Sequence, residues 1–415
     1  MDKLKAQRKK DYSAYVAEKI KEFNSNGRLT VAIFCDAFFP SVDGVVMVVD
    51  NVARGISKKC NVVAFVPEHM GETVLRDGYL VIGVKSRFLK SLNYDAPSFF
   101  GLGALYRQTI KNLRIDIIHG HSPFYLGLAA LSLHKKTGAP LVMTFHSQYR
   151  KDVYKETKSK ILTAIAMKII MKSFNGCTEL WTMHKKSAET VQSYGYKGDI
   201  VFMPNATDYV YPPDAERHKA AIREHYAIGD AQKIFLFVGR LVTQKNILFI
   251  AEVLGRLRQK GLDFKMLFVG DGPDRKKLEC KLAEVGVSSM CVFVGKISDK
   301  LKLESYYLAA DLLLFPSKYD VSSIIQIEAA AMKTPCAFVE DSVTSCTVTG
   351  GVDGLILPED VGKFADGVES LVTDKVALEK MSEAAYKNLY VTWGDVVEKT
   401  YGRYLYLAEK HKKQA

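Results

Sequence analysis

Lys233-Ile234-Phe235-Leu236-Phe237-Val238-Gly239-Arg240-Leu241-Val242-Thr243-Gln244-Lys245-Asn246 is an apolar run that stops at a glycine and leads into two cations five positions apart. Apolar residues at consecutive rather than alternate positions mark a strand covered on both faces, as in a parallel sheet. The pattern recurs downstream at 265–270, 292–295 and 311–315, with helical segments between. It recurs upstream at 29–35, 61–66, 80–84, 115–119, 140–145 and 199–203. Proline, asparagine and aspartate gather at 204–208 and 212–214, where a connection between two bodies is expected. The chain has 415 residues, and one hydrophobic core stops growing near ~250–300. The fold class expected is therefore α/β, with two doubly wound Rossmann-like domains facing across a cleft. The expected division is a basic N-terminal helix at 1–27, one domain at 28–205, a second at 206–393, and a C-terminal helix at 394–415 crossing back to the first.

In such sheets ligands collect beyond the carboxyl ends of the strands. Arg240 and Lys245 stand there. A guanidinium grips phosphate oxygens bidentately and an ammonium adds a point charge, so the pair suits a diphosphate leaving group. Two surface cations after a strand would look the same. A second strand end, Phe315, is followed by Asp320, by Ser322 and Ser323, and by a helical run holding Ile324, Ile325 and Glu328. Either serine can cap that helix, whose first N–H groups favour an anion. Asp320 can accept hydrogen bonds from sugar hydroxyls and Glu328 can grip a ribose, although two acids eight positions apart are common.

In order along the chain, these elements resemble the family 4 retaining glycosyltransferases of the GT-B fold. The matching elements are Gly239-Arg240-x4-Lys245 and the acid-x7-Glu pair Asp320 and Glu328. Gly270-Asp271-Gly272-Pro273, His119-Gly120-His121-Ser122-Pro123, Thr144-Phe145-His146 and the segment 34–45 match as well, so the resemblance spans residues 28–400. It implies that Gly44 lets the backbone approach the donor diphosphate and that His121 faces the donor sugar. Arg240 and Lys245, after the turn at Gly239, would stabilise the departing diphosphate. Asp320 would hold sugar hydroxyls, Glu328 the ribose, and the amides around Ser322, Ser323, Ile324 and Ile325 the phosphates. Retention follows, with a donor phosphate oxygen taking the acceptor proton. No metal and no cofactor are implied; a nucleotide sugar is the co-substrate, a UDP-hexose before GDP-mannose. Asp271 belongs to a turn and His119 to the scaffold. The chain departs from the family pattern at Asp320, where most relatives carry Glu, and at Gln244 and Asn246, which replace Glu and Gly. It departs again at Asp43-Gly44, where many have Gly-Gly, and in 341–347, which lacks a glutamate.

The N-terminal half carries the charge. Residues 1–205 hold 30 Lys and Arg against 17 Asp and Glu, a balance of +13, whereas the remainder holds 28 against 29. Such an excess points to a polyanionic partner. His146, Arg150 and Lys151 are the acceptor-side candidates. The run from Tyr149 to Phe174 mixes lysines with the apolar segment 161–171, as suits an anionic membrane interface or, equally, a helix packed on the sheet. A membrane lipid is the acceptor preferred, ahead of a cell-surface polysaccharide or teichoic-type polymer. The N-terminus shows no apolar signal core and no run approaches the ~20 residues of a membrane span. A cytoplasmic protein, peripheral on the inner face of the plasma membrane, is expected. Seven scattered cysteines, none in a CxxC pair, fit buried thiols in a reducing compartment. A non-catalytic glycosyltransferase-like binding subunit is the alternative. The loop 36–44 lacks the GxGxxG of a nicotinamide oxidoreductase, and no nucleic-acid-binding module is recognisable.

Overall fold

The computed structural model describes residues 2–40, 44–68, 78–89, 94–97, 101–318 and 324–414. The chain forms two compact units, Met1–Pro204 with Trp393–Ala415, and Asn205–Thr392. The first contains β1 (Thr30–Phe34), β2 (Asn61–Pro67), β3 (Leu80–Val84), β4 (Ser86–Leu89), β5 (Tyr94–Pro97), β6 (Ile117–Gly120), β7 (Leu141–Thr144), β8 (Glu179–Thr182) and β9 (Ile200–Phe202). Seven of these form one sheet in the order β3-β2-β1-β6-β7-β8-β9, parallel throughout. Strands β4 and β5 make a separate antiparallel pair. The second unit contains β10 (Lys233–Val238), β11 (Phe264–Val269), β12 (Cys291–Gly295), β13 (Leu312–Leu314), β14 (Cys336–Val339) and β15 (Leu355–Leu357). They form a parallel sheet ordered β12-β11-β10-β13-β14-β15.

The unbroken apolar runs have the expected cause. Along β10, Phe235 and Phe237 enter one core while Ile234, Leu236 and Val238 enter the core on the opposite face. Successive side chains alternate across a strand, so only a sheet covered on both faces demands apolar residues at every position. Five strands escape the sequence reading: β4, β5, β8, β14 and β15. Each is only three or four residues long, too short to show a period.

The N-terminal helix, Asp2–Ser25, is part of the first unit's core, where Val16, Ile20 and Phe23 are buried. The last helix, Trp393–Gln414, also packs in this unit. Tyr404 stacks on Trp181 with ring centroids 5.6 Å apart, and Arg403 Nε donates to Glu179 Oε2 at 2.9 Å. No helix among the described residues is long and apolar enough to cross a membrane.

Each sheet has one place where the strand order reverses, between β1 and β6 in the first unit and between β10 and β13 in the second. Helices leave neighbouring strands in opposite directions there, which opens a crevice at the carboxyl ends.

Candidate functional site

In the second unit the loop after β10 is braced by the loop after β11. Gly239 (φ 147°) donates its N–H to Val269 O at 2.9 Å. Leu241 N–H donates to Asp271 O at 3.0 Å, and Asp274 N–H returns to Leu241 O at 3.1 Å. The approach is close enough that a Cβ on Gly270 (φ 132°) would sit 1.9 Å from Gly239 O, and one on Gly272 2.3 Å from Leu241 O. Asp274 accepts from the Thr243 N–H at 2.8 Å and from its hydroxyl at 2.9 Å. Gly270-Asp271-Gly272-Pro273 is thus the support of the Arg240 loop, and Arg240 itself is exposed.

Lys245 ends a single 3₁₀ turn, Thr243–Lys245, and its side chain folds back over Gly239. A Cβ at Gly239 would meet the ammonium at 3.3 Å, so glycine makes room for the cation. The ammonium stands 5.3 Å from the centroid of the Phe315 ring, directly after β13. Lys245 therefore bridges the ends of β10 and β13, where the strand order reverses. Asn246 follows in the left-handed region (φ 59°), which asparagine tolerates better than other side chains. Its amide donates to Glu359 Oε1 at 2.8 Å.

Glu328 lies in the helix Ile324–Ala331 and accepts a hydrogen bond from the Tyr307 hydroxyl at 2.8 Å. Burial pushes its carboxyl above the usual range, opposed by the Tyr307 hydrogen bond and the Lys300 charge. Ile324 and Ile325 are the first two residues of that helix and are half-buried. The opening N–H groups of a helix have no partner within it. Asp320, Ser322 and Ser323 lie outside the described residues.

In the first unit His121 follows β6, and its N–H donates to Phe34 O at the end of β1, at 2.8 Å. It too stands where the strand order reverses. Its ring lies 4.0 Å from that of His119 and shares a hydrogen bond with His146, Nδ1 to Nε2, at 3.1 Å. His119 is held by the Tyr404 hydroxyl at 2.5 Å and the Thr144 hydroxyl at 2.7 Å. Burial pulls His119 down to about 3 and His146 to about 4, and His121 falls well below the usual imidazole range. All three rings are neutral near pH ~7. His121 is 2% exposed, and its Nε2 has no hydrogen-bond partner among the described residues.

Gly44 opens the helix Gly44–Ser57, where a Cβ would meet nothing within 4 Å. Arg150 and Lys151 lie in the first turn of the helix Tyr149–Thr157 and are exposed, with the Arg150 guanidinium 4.7 Å from the Tyr194 ring centroid. Sequence reading missed Tyr307 and Tyr404, the partners of Glu328 and His119. Neither stands beside its partner in the chain, and no local signal marks them.

Two family descriptions match this chain: "Glycosyltransferase Family 4" over residues 42–210 and "Glycosyl transferases group 1" over 218–388. The chain belongs to the family 4 glycosyltransferases of the GT-B fold. It is similar to the alpha-monoglucosyldiacylglycerol synthase of Acholeplasma laidlawii, with 21% identity over 93% of this chain and 99% of that protein. It is also similar to the alpha-D-kanosaminyltransferase of Streptomyces kanamyceticus, with 26% identity over 70% of this chain and 80% of that protein. Among solved structures, sucrose-phosphate synthase from Thermosynechococcus elongatus superposes with a TM-score of 0.70 at 18% identity, covering 92% and 99% of the two chains. Anabaena HepE in complex with UDP and glucose superposes at 0.67 with 13% identity, covering 91% and 99%. These structural likenesses speak to the fold.

Proposed function

We propose that the chain moves a hexose, with retention, from a UDP-sugar to a membrane lipid. The donor's diphosphate lies against Arg240 and Lys245, and its ribose against Glu328. The observation that carries this reading is the seat of Lys245, folded over Gly239 and facing Phe315, at the one reversal of strand order in its sheet. A diphosphate gains negative charge as it leaves, and fixed cations lower that barrier without reorganising. The two cations supply this charge without a metal. A donor phosphate oxygen takes the acceptor's proton. Asp320 would hold the sugar's hydroxyls, and the amides at Ser322, Ser323, Ile324 and Ile325 the phosphates. His121 offers a neutral, unpartnered ring nitrogen, which suits a hydroxyl better than a charged group. A lipid acceptor is supported by the relative named alpha-monoglucosyldiacylglycerol synthase, whose similarity spans 93% of this chain. A uridine donor is supported by the structural relative solved with UDP-glucose. The protein then works peripherally at the inner face of the plasma membrane, His146, Arg150 and Lys151 facing the acceptor.

A thermal-shift panel of UDP-glucose, UDP-galactose and GDP-mannose tests the donor. A ligand at 100 times its Kd stabilises by about 2.7 kcal/mol, and a uridine donor is expected to do so. Arg240→Ala is expected to leave the melting point unchanged, since the side chain is exposed, and to lower transfer by ~10²–10³. No shift with any donor, or wild-type turnover by the variant, would overturn the reading.

A further inference from the structure

The helices Tyr149–Thr157 and Lys160–Asn175 form a hairpin on the first unit, its second arm capped by Ser159, which accepts from the Leu162 N–H. The second helix buries Thr163, Met167, Ile170, Met171 and Phe174. Its other face is also apolar: Ile161, Leu162, Ile165 and Ile169 are 74%, 53%, 52% and 45% exposed. The sequence left open whether 161–171 packs inward or faces out, and the helix does both. Single exposed aliphatics are ordinary, but four on successive turns of one helix form a patch. Beside it a groove of about 630 Å³ is lined by Tyr154, Ala164, Met167, Met171 and Tyr194, with the exposed cations Arg150, Lys160 and Lys168. The volume is within the ~300–1,000 Å³ typical of small-molecule sites. No carboxylate is in that lining. From 149 to 172 there are seven Lys and Arg against two acids, Asp152 and Glu156, and Asp152 is engaged by the Ser147 hydroxyl.

We infer that this hairpin docks on an anionic phospholipid bilayer. The Ile161, Leu162, Ile165 and Ile169 row enters the acyl region, and the groove takes one acyl chain of a lipid whose phosphate meets Arg150, Lys160 and Lys168. The inference rests on the lipid-facing reading of the first unit and names the surface and the ligand. Charge selects the occupant. A second copy would bring the same positive face against itself, whereas an anionic surface is complementary to it. Each cation near such a surface contributes about fivefold in affinity. Each aliphatic side chain taken out of water contributes about tenfold or more.

The test is flotation of the full chain with vesicles of phosphatidylglycerol and phosphatidylcholine in equal parts, and of phosphatidylcholine alone. Binding is expected to the first and not the second, and to weaken as salt rises. The exposed pair Ile161→Glu with Ile165→Glu is expected to lower binding at least about tenfold. Ala164→Trp, which fills the groove, is expected to weaken it severalfold with the salt dependence kept. Equal binding to both vesicles, no binding at low salt, or wild-type binding by the double variant would overturn the docking. Wild-type binding by Ala164→Trp would overturn the acyl-chain site. A dimer that the double variant dissolves, without vesicle binding, would reassign the face to a second copy. The donor thermal shift is read in the same samples: if it is absent while vesicle binding persists, the transferase reading fails and the docking stands.

Discussion

Acidification should unfold the first unit ahead of the second. His119, His121 and His146 are neutral in the folded state, with the first pulled down to about 3, the third to about 4 and His121 well below its usual range, chiefly by burial. Unfolded, each would titrate near ~6.5. Above that value neither state is protonated. As the pH falls through it, the unfolded chain takes up protons that the folded chain refuses, so stability drops. The loss continues until the folded values are reached. Each unit of pH between ~6.5 and a ring's folded value costs about 1.4 kcal/mol, so at pH ~5 a ring pulled down to about 3 or 4 costs about 2 kcal/mol. His119, 1% exposed, then removes about 2 kcal/mol, and His121, 2% exposed, acts in the same direction. His146, partly exposed, adds up to about 2 more. Against a typical domain stability of ~5–15 kcal/mol this is a large fraction, worth ~10–20 °C in melting point. In the second unit Glu328 acts in the opposite sense, because its carboxyl is raised and acid relieves its buried charge.

The molecule carries its own probe. Its two tryptophans, Trp181 and Trp393, both lie in the first unit, so their fluorescence follows that unit alone, while circular dichroism follows both. The fluorescence melting point is expected to fall from pH ~7.5 to ~5 and to part from the remaining dichroism transition. His119→Gln is expected to reduce the pH slope by about a third, whatever its effect on stability at neutral pH. A fluorescence midpoint that does not move over this range, or an unchanged slope in the variant, would refute the assignment of neutral buried rings.

Three further perturbations reach the braces of the site. Tyr307→Phe removes the hydroxyl that donates to Glu328; urea unfolding should show a loss of about 1–3 kcal/mol, and the donor KM should rise. Gly270→Ala drives a Cβ onto the Gly239 carbonyl at 1.9 Å from a positive φ, so we expect about 3 kcal/mol of destabilisation or more and no thermal shift with donor; a wild-type melting point would contradict the contact. Tyr404→Phe leaves His119 Nδ1 without its partner; because the His119 ring lies 4.0 Å from that of His121, steady-state kinetics should show a lower kcat with the donor KM unchanged.

What the sequence disclosed follows the range of the interactions. Strands such as β10 and β2 were readable because five or more consecutive apolar residues must be covered on two sides. Strand β8 was not, because it is short and its first residue is a buried glutamate, Glu179, held by the Trp181 indole N–H and by Arg403 on a helix 224 positions away. In the site, Gly239, Arg240 and Lys245 are neighbours in the chain, and one loop suffices to gather them. Tyr307 meets Glu328 across 21 positions and Tyr404 meets His119 across 285. Such pairs exist only because the fold returns distant segments of the chain to one place, and no spacing rule marks them. Asn246 reads as a departure in the sequence but supplies the left-handed turn that a glycine would.

The charge distribution separates two kinds of anion recognition. The first unit holds 35 Lys and Arg against 20 Asp and Glu, a balance of +15; the second holds 23 against 26, a balance of −3. The proposed diphosphate site lies on the unit with no positive excess. Recognition there would rest on two placed cations on a braced loop and a helix start, which is how a small anion is held with defined geometry. The positive excess therefore serves something other than the donor. It does not serve the interior of its own unit either, where His119, His121 and His146 are neutral. It lies in part on an exposed hairpin that also shows bare aliphatics, and a small soluble anion would have no use for those. An extended surface that is negative outside and apolar within would use both, which favours the proposed lipid bilayer over a soluble polyanion as the partner.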